Sequence, residues 1–146
     1  VGVFGHGYTY SGHPLACAVA LKTLEIYERE DIFKKAAVVG EYFQRRLAQF
    51  SDHPLVGEVR GRGLLAAVEI VADKATAEPF APSVAGYLQQ ACQDSGLIGR
   101  AVGGTSMAFC PPLIITEEQV DELCGKLAAG LDQTLAHVKK EGLLAA

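Results

Sequence analysis

The chain has 146 residues, the size of one domain whose core removes roughly two-thirds of the unfolded surface from water. Hydrophobic residues make up 49%, charged residues 21%, and the net charge is −4 with acids and bases interspersed, which excludes a disordered chain and leaves no basic patch for nucleic acid. No apolar run has the length of a membrane span and no leader pattern stands out, so a cytoplasmic protein without a membrane partner is expected.

Met107 is the only methionine, and the opening Val1-Gly2-Val3-Phe4 reads as the middle of a strand or loop, as in a piece of a longer protein. His6-Gly7-Tyr8-Thr9-Tyr10-Ser11-Gly12-His13-Pro14 follows, a loop of glycines, hydroxyls and imidazoles. Its backbone N–H groups and the Thr9 hydroxyl form a donor set suited to a phosphate. The same residues also suit a capped helix entry, with Ser11 or His13 satisfying the first turn for about 0.5–2 kcal/mol. Pro14 fits the first turn of a helix that runs through "PLACAVALKTLEIYERE". That helix is apolar around nearly its whole circumference as far as Tyr27, the pattern of a helix buried on all sides, but a 146-residue α+β unit has too few elements to cover it, so an exposed, oligomer-prone face is expected.

A second, amphipathic helix is expected over about 31–50, with Phe33, Val38, Tyr42, Phe43 and Leu47 inward and Glu41, Gln44 and Arg45 outward. After "SDHP" comes a short strand, a tight Arg60-Gly61-Arg62-Gly63 turn and a longer strand near 64–71. The run LLAAVEIV predicts a strand covered on both faces. Residues 73–82 read as a loop, and a helix over about 83–95 ends near Gly96. "LIGRAV" and "SMAFC", joined by Gly103-Gly104-Thr105, read as a hairpin. Thr116-Glu117-Glu118-Gln119 is a capping box that opens a last amphipathic helix to about 138, followed by a basic turn and a fraying end. The sum is α+β: a small, mostly antiparallel sheet of three to four strands backed by helices.

Cys17, Cys92, Cys110 and Cys124 lie far apart without a CxxC pair, and the histidines are scattered, so buried reduced thiols and no metal site are expected. Neither Ser11 nor Ser106 sits in the G-x-S-x-G pattern of a nucleophile elbow. Gly5-His6-Gly7 lacks the third glycine of a dinucleotide fingerprint, Tyr10 standing in its place. Arg100, in an apolar strand before two glycines, suits bidentate capture of a carboxylate; the alternative is a strand-edge arginine paired with a surface Asp or Glu. Arg60 and Arg62 read more simply as turn residues.

Three stretches, "HGYTYSGHPLACAVALKTLEIYE", "VGEVRGRGLLAAVEIV" and "GRAVGGTSMAFCPPLIITEEQVDEL", together resemble the C-terminal part of class III (omega-type) pyridoxal-phosphate aminotransferases, over nearly the whole chain. The resemblance implies the C-terminal domain fold of fold-type I enzymes, with residues 1–30 as cofactor-phosphate loop and inter-domain helix and 31–146 as small domain. It implies that Tyr8 and Thr9 hold the phosphate of pyridoxal 5'-phosphate in the neighbouring subunit of a homodimer or higher oligomer. It gives Arg100 the substrate carboxylate of a 2-oxo acid such as pyruvate, the other substrate being an amine or ω-amino acid. The family's Schiff-base lysine lies upstream of the "HG-aromatic-T" stretch, and only seven residues precede Tyr8, so no catalytic residue is expected here and the chain alone is expected to be inactive and to bind cofactor weakly or not at all. A related mutase or decarboxylase, and a non-catalytic domain binding a phosphorylated ligand or a partner, are the other readings.

Overall fold

A computed structural model describes residues 2–144, with the side chain of Pro82 also outside the description. Val1 of the opening stretch and the last two residues of the expected fraying end, Ala145 and Ala146, therefore lie outside the described residues. The chain divides into two compact units, with the boundary between Phe33 and Lys34.

Among the described residues the first unit has no helix or strand before Pro14 and then a helix, α1 (Pro14–Arg29). His13 is its N-cap, Nδ1 accepting from the Ala16 N–H at 3.4 Å, and Pro14 takes the first turn as its sequence predicts. α1 has no buried residue, and Leu15, Val19, Leu21 and Leu24 are all more than half exposed, the uncovered face expected of an all-round apolar helix in a chain with too few elements to bury it. An apolar circumference sets what a helix needs as cover, and among its described residues the first unit contains nothing else regular enough to supply it.

The second unit holds most of α2 (Ile32–Ala48), a 3-10 turn at Gln49–Asp52, β1 (Val56–Arg62), β2 (Leu65–Asp73), the two-residue β3 (Glu78–Pro79), α3 (Pro82–Asp94), β4 (Arg100–Val102), β5 (Ser106–Phe109) and α4 (Glu117–Lys140). The sheet order is β1-β2-β5-β4, with β3 beside β2 and every pairing antiparallel. This is the expected α+β arrangement, but with five strands where three to four were expected, because the two-residue β3 forms within the stretch 73–82 read as a loop. The capping box is present, Thr116 Oγ1 accepting from Gln119 N and Gln119 Oε1 from Thr116 N. No helix among the described residues is long and apolar enough to cross a membrane.

Several local expectations need correction. On α2 the buried residues Ala36, Gly40, Phe43 and Leu47 recur at helical spacing, but Phe33 and Val38 are 60% and 65% exposed. Phe33 instead meets Tyr27 edge-on within the first unit, and Val38 lies about 200° around the helix from Ala36. Gln44, expected outside, is half-buried because its Nε2 donates to the carbonyls of Gly63 and Leu65. The Arg60–Gly63 run is mostly strand: β1 continues through Arg62, and the turn is Gly63-Leu64, with Gly63 at φ +57°. The β4 strand begins only at Arg100.

From Ala66 to Ile70 burial in β2 alternates, Ala66, Val68 and Ile70 being buried while Ala67 and Glu69 are half-buried; the alternation ends at Val71, which is buried next to Ile70 where β3 joins the strand. Over Ala66–Ile70 the strand is covered on one face, not two, because the core residues of α2, α3 and α4 form one cluster with Val68, Met107 and Phe109. Two of the four thiols are buried and two exposed: Cys92 and Cys124 belong to the core, Cys17 and Cys110 do not. Burial pushes the Cys92 thiol up to about 11.

Candidate functional site

In the first unit, residues 8–11 close a turn by Ser11 N–H donating to Tyr8 O at 2.9 Å, while Tyr8 N–H donates to Ser11 Oγ at 2.9 Å. Gly12, at φ +73°, then turns the chain into α1. Of the two proposed phosphate contacts, Tyr8 thus has its N–H engaged locally, whereas Thr9 makes no hydrogen bond through backbone or side chain among the described residues. The stretch from Gly5 to His13 carries no carboxylate, so it offers neutral donors and two imidazoles to an anion and nothing that repels one. The donor set fits a phosphate. Of the readings of this loop, the structure shows the capped helix entry, with His13 as the cap.

In the second unit, pairing partners share a face of the sheet, and the register defines the face turned away from the helices. Arg60, Ala67, Ala108 and Arg100 form one row across β1, β2, β5 and β4. Glu58, Glu69, Ser106 and Val102 form the next. Arg100 is exposed and begins the edge strand, and its side chain has no hydrogen bond or ion pair among the described residues. Among the described residues no Asp or Glu pairs with it at the strand edge. The turn that follows holds two left-handed glycines, Gly103 at φ +63° and Gly104 at φ +82°, which leaves its far end free of side chains. The neighbouring β4 residue Ala101 is tied by its N–H to Gln89 Oε1 of α3 at 3.3 Å.

Arg60 behaves in the opposite way. Its Nη1 donates to Glu58 at 2.7 Å and also to Glu69, and its Nη2 donates to Ser106 Oγ at 3.0 Å. Glu69 also accepts from Thr105 Oγ1 at 3.4 Å. The hydrogen bond to Glu69, and then that to Glu58, hold the guanidinium above its already high usual pKa. Sequence reading missed this cluster by assigning Arg60 to a turn. The available signal was the alternation Glu58–Arg60–Arg62, which places three charged side chains on one face of a strand. Among the described residues no group of three or more His, Cys, Asp or Glu side chains is placed to hold a metal ion.

Known proteins carry the same elements. The model of the aminotransferase class-III family matches residues 1–131. The chain is 48% identical over 139 residues to a putrescine–pyruvate aminotransferase of Pseudomonas aeruginosa, covering 94% of this chain and 30% of that protein. It is 42% identical over 149 aligned positions to a diaminobutyrate–2-oxoglutarate transaminase of Halomonas elongata, covering 99% of this chain and 32% of that one. A solved six-fold mutant of a thermostable omega transaminase from Pseudomonas jessenii superposes with a TM-score of 0.83 at 45% identity, over 91% of this chain and 30% of that chain. The chain therefore spans about a third of the length of the curated relatives it matches.

Proposed function

The chain belongs to the class III aminotransferases, and from that premise we propose that the protein carrying it moves an amino group from an amine or ω-amino acid to a 2-oxo acid such as pyruvate, with pyridoxal 5'-phosphate as cofactor. Residues 1–30 serve as cofactor-phosphate loop and inter-domain helix, and 31–146 as the small domain. When bound, pyridoxal phosphate supplies the electron sink that the exchange requires. Thr9 holds its phosphate by N–H and hydroxyl. Tyr8 adds its own N–H once the exposed Ser11 hydroxyl rotates off it. The phosphate they hold belongs to the partner subunit of a homodimer, in a cytoplasmic setting. None of the lysines here is given a catalytic role, and these residues by themselves are inactive.

The observation that carries the proposal is Arg100: an exposed guanidinium with no partner among the described residues, on a three-residue edge strand beside two left-handed glycines. A planar, permanently charged fork without an internal acid is built to take an external carboxylate. Hydrogen bonds to charged groups contribute roughly 1.5–3 kcal/mol. Arg100→Ala in the full-length enzyme therefore lowers kcat/KM for pyruvate by about ten- to a hundredfold. Amine substrates that lack a carboxylate lose much less. Equal losses for both substrate classes take Arg100 out of the substrate site.

A further inference from the structure

Two arginines lie on the same row of the open sheet face, one saturated with carboxylates and one with none. Only Ala67 and Ala108 stand between them. Glu69 is two strands and one row from Arg100, a Cα separation of about 12 Å from the strand spacing and rise. That lies within the combined reach of extended glutamate and arginine side chains, and the two alanines raise no barrier. An unclamped Glu69 would be an internal carboxylate competing for the same fork as the substrate's.

We propose that Arg60 is a specificity-determining positioning residue: by clamping Glu69 on β2, with Glu58 of its own strand sharing the clamp, it keeps the Glu69 carboxylate off Arg100, which is thereby left for the substrate. The inference rests on the aminotransferase reading of Arg100 and adds a residue that does not touch substrate. The geometry is suited to the task. One Nη1 serves both glutamates, and Nη2 is fixed on Ser106, which is 5% exposed and pairs with Val102 of β4. The Thr105 hydroxyl approaches the second oxygen of Glu69 from the other side. Glu69 is thus held between donors on β1 and on the β4–β5 turn. Selectivity obtained by removing an internal competitor needs no new contact to the ligand.

The test is steady-state kinetics of the full-length enzyme with pyruvate as acceptor and a carboxylate-free amine as donor. Arg60→Gln frees the glutamates, and KM for pyruvate rises about fivefold while kcat and the amine KM stay within about twofold. Arg60→Gln combined with Glu69→Gln removes the competitor and returns the pyruvate KM to within about twofold of the parent. A merely structural loss would not be reversed by a second substitution in the same cluster. Arg60→Lys covers the case in which Arg60→Gln does not fold: one ammonium divided between two carboxylates clamps them less well, raising KM by about two- to threefold, again reversed by Glu69→Gln. An unchanged pyruvate KM in both Arg60 variants, or a raised one that Glu69→Gln leaves raised, overturns the proposal. Failure of the parent reading is a separate outcome, seen when Arg100→Ala itself shows no preference for carboxylate substrates.

Discussion

Gly40 lies inside α2, where replacement of glycine by alanine normally stabilises a helix by about 1 kcal/mol. Here the sign reverses. A Cβ at Gly40 would stand 2.8 Å from Cα of Gly63 and 2.9 Å from its carbonyl carbon, backbone atoms of the β1–β2 turn that no rotamer change moves aside. Forcing a methyl group into a packed contact costs about 1–3 kcal/mol. Contact with main chain, pinned further by Gln44 on the Gly63 carbonyl at 2.7 Å, puts this case in the upper half of that range. Gly40→Ala therefore destabilises by about 1–2 kcal/mol after the helix gain is subtracted. Gly86 on α3 and Gly125 on α4 are exposed and have nothing within 4 Å of an added Cβ, so the same substitution there stabilises by about 0.5–1 kcal/mol. Urea unfolding of the three variants, compared by midpoint at constant slope, reads the difference. A Gly40→Ala midpoint above the parent's refutes the close seating of α2 on the hairpin.

Thr116→Ala deletes one half of the reciprocal cap of α4 and lowers stability by about 0.5–2 kcal/mol, whereas Thr116→Ser retains the hydroxyl and most of the stability; the same urea midpoints decide it. His53 accepts from the Leu55 N–H at its Nδ1, and its buried Nε2 makes no hydrogen bond, lying 3.5 Å from Oδ1 of Asp132. Burial holds its pKa below the usual histidine range, with Asp132 opposing and Lys74 adding to the shift. A depressed histidine binds its proton less readily folded than unfolded, so its contribution is full above the ordinary histidine pKa and is lost as pH falls below it. An NMR titration of His53 at or above the ordinary value would contradict this, and Asp132→Asn should move the titration lower still.

Signals confined to neighbouring residues were legible. Pro14 and the Thr116–Gln119 box open their helices where the sequence puts them, because a cap is satisfied within one turn. The alternation in β2 was hidden by composition: Ala67 is apolar enough to extend the hydrophobic run although its face of the sheet lacks the helices. Phe33 is in phase with the buried stripe of α2 yet exposed, since periodicity assigns a face and says nothing of what covers it. The free state of Arg100 and the saturated state of Arg60 were out of reach for a different reason. Both depend on strand register, and the Arg60–Ser106 bond joins residues 46 apart in the chain. No spacing rule reaches that far.

The sequence distances within the Arg60 cluster also set an order of assembly. Its acidic partners are 2 and 9 residues away, supplied by β1 itself and by the hairpin it forms with β2, while Ser106 must arrive across 46 residues. Short loops close before long ones, because the entropy of bringing ends together rises with the length between them. The guanidinium is neutralised while the hairpin is still alone in water, so β5 docks against a settled charge and meets no bare cation during closure of the sheet.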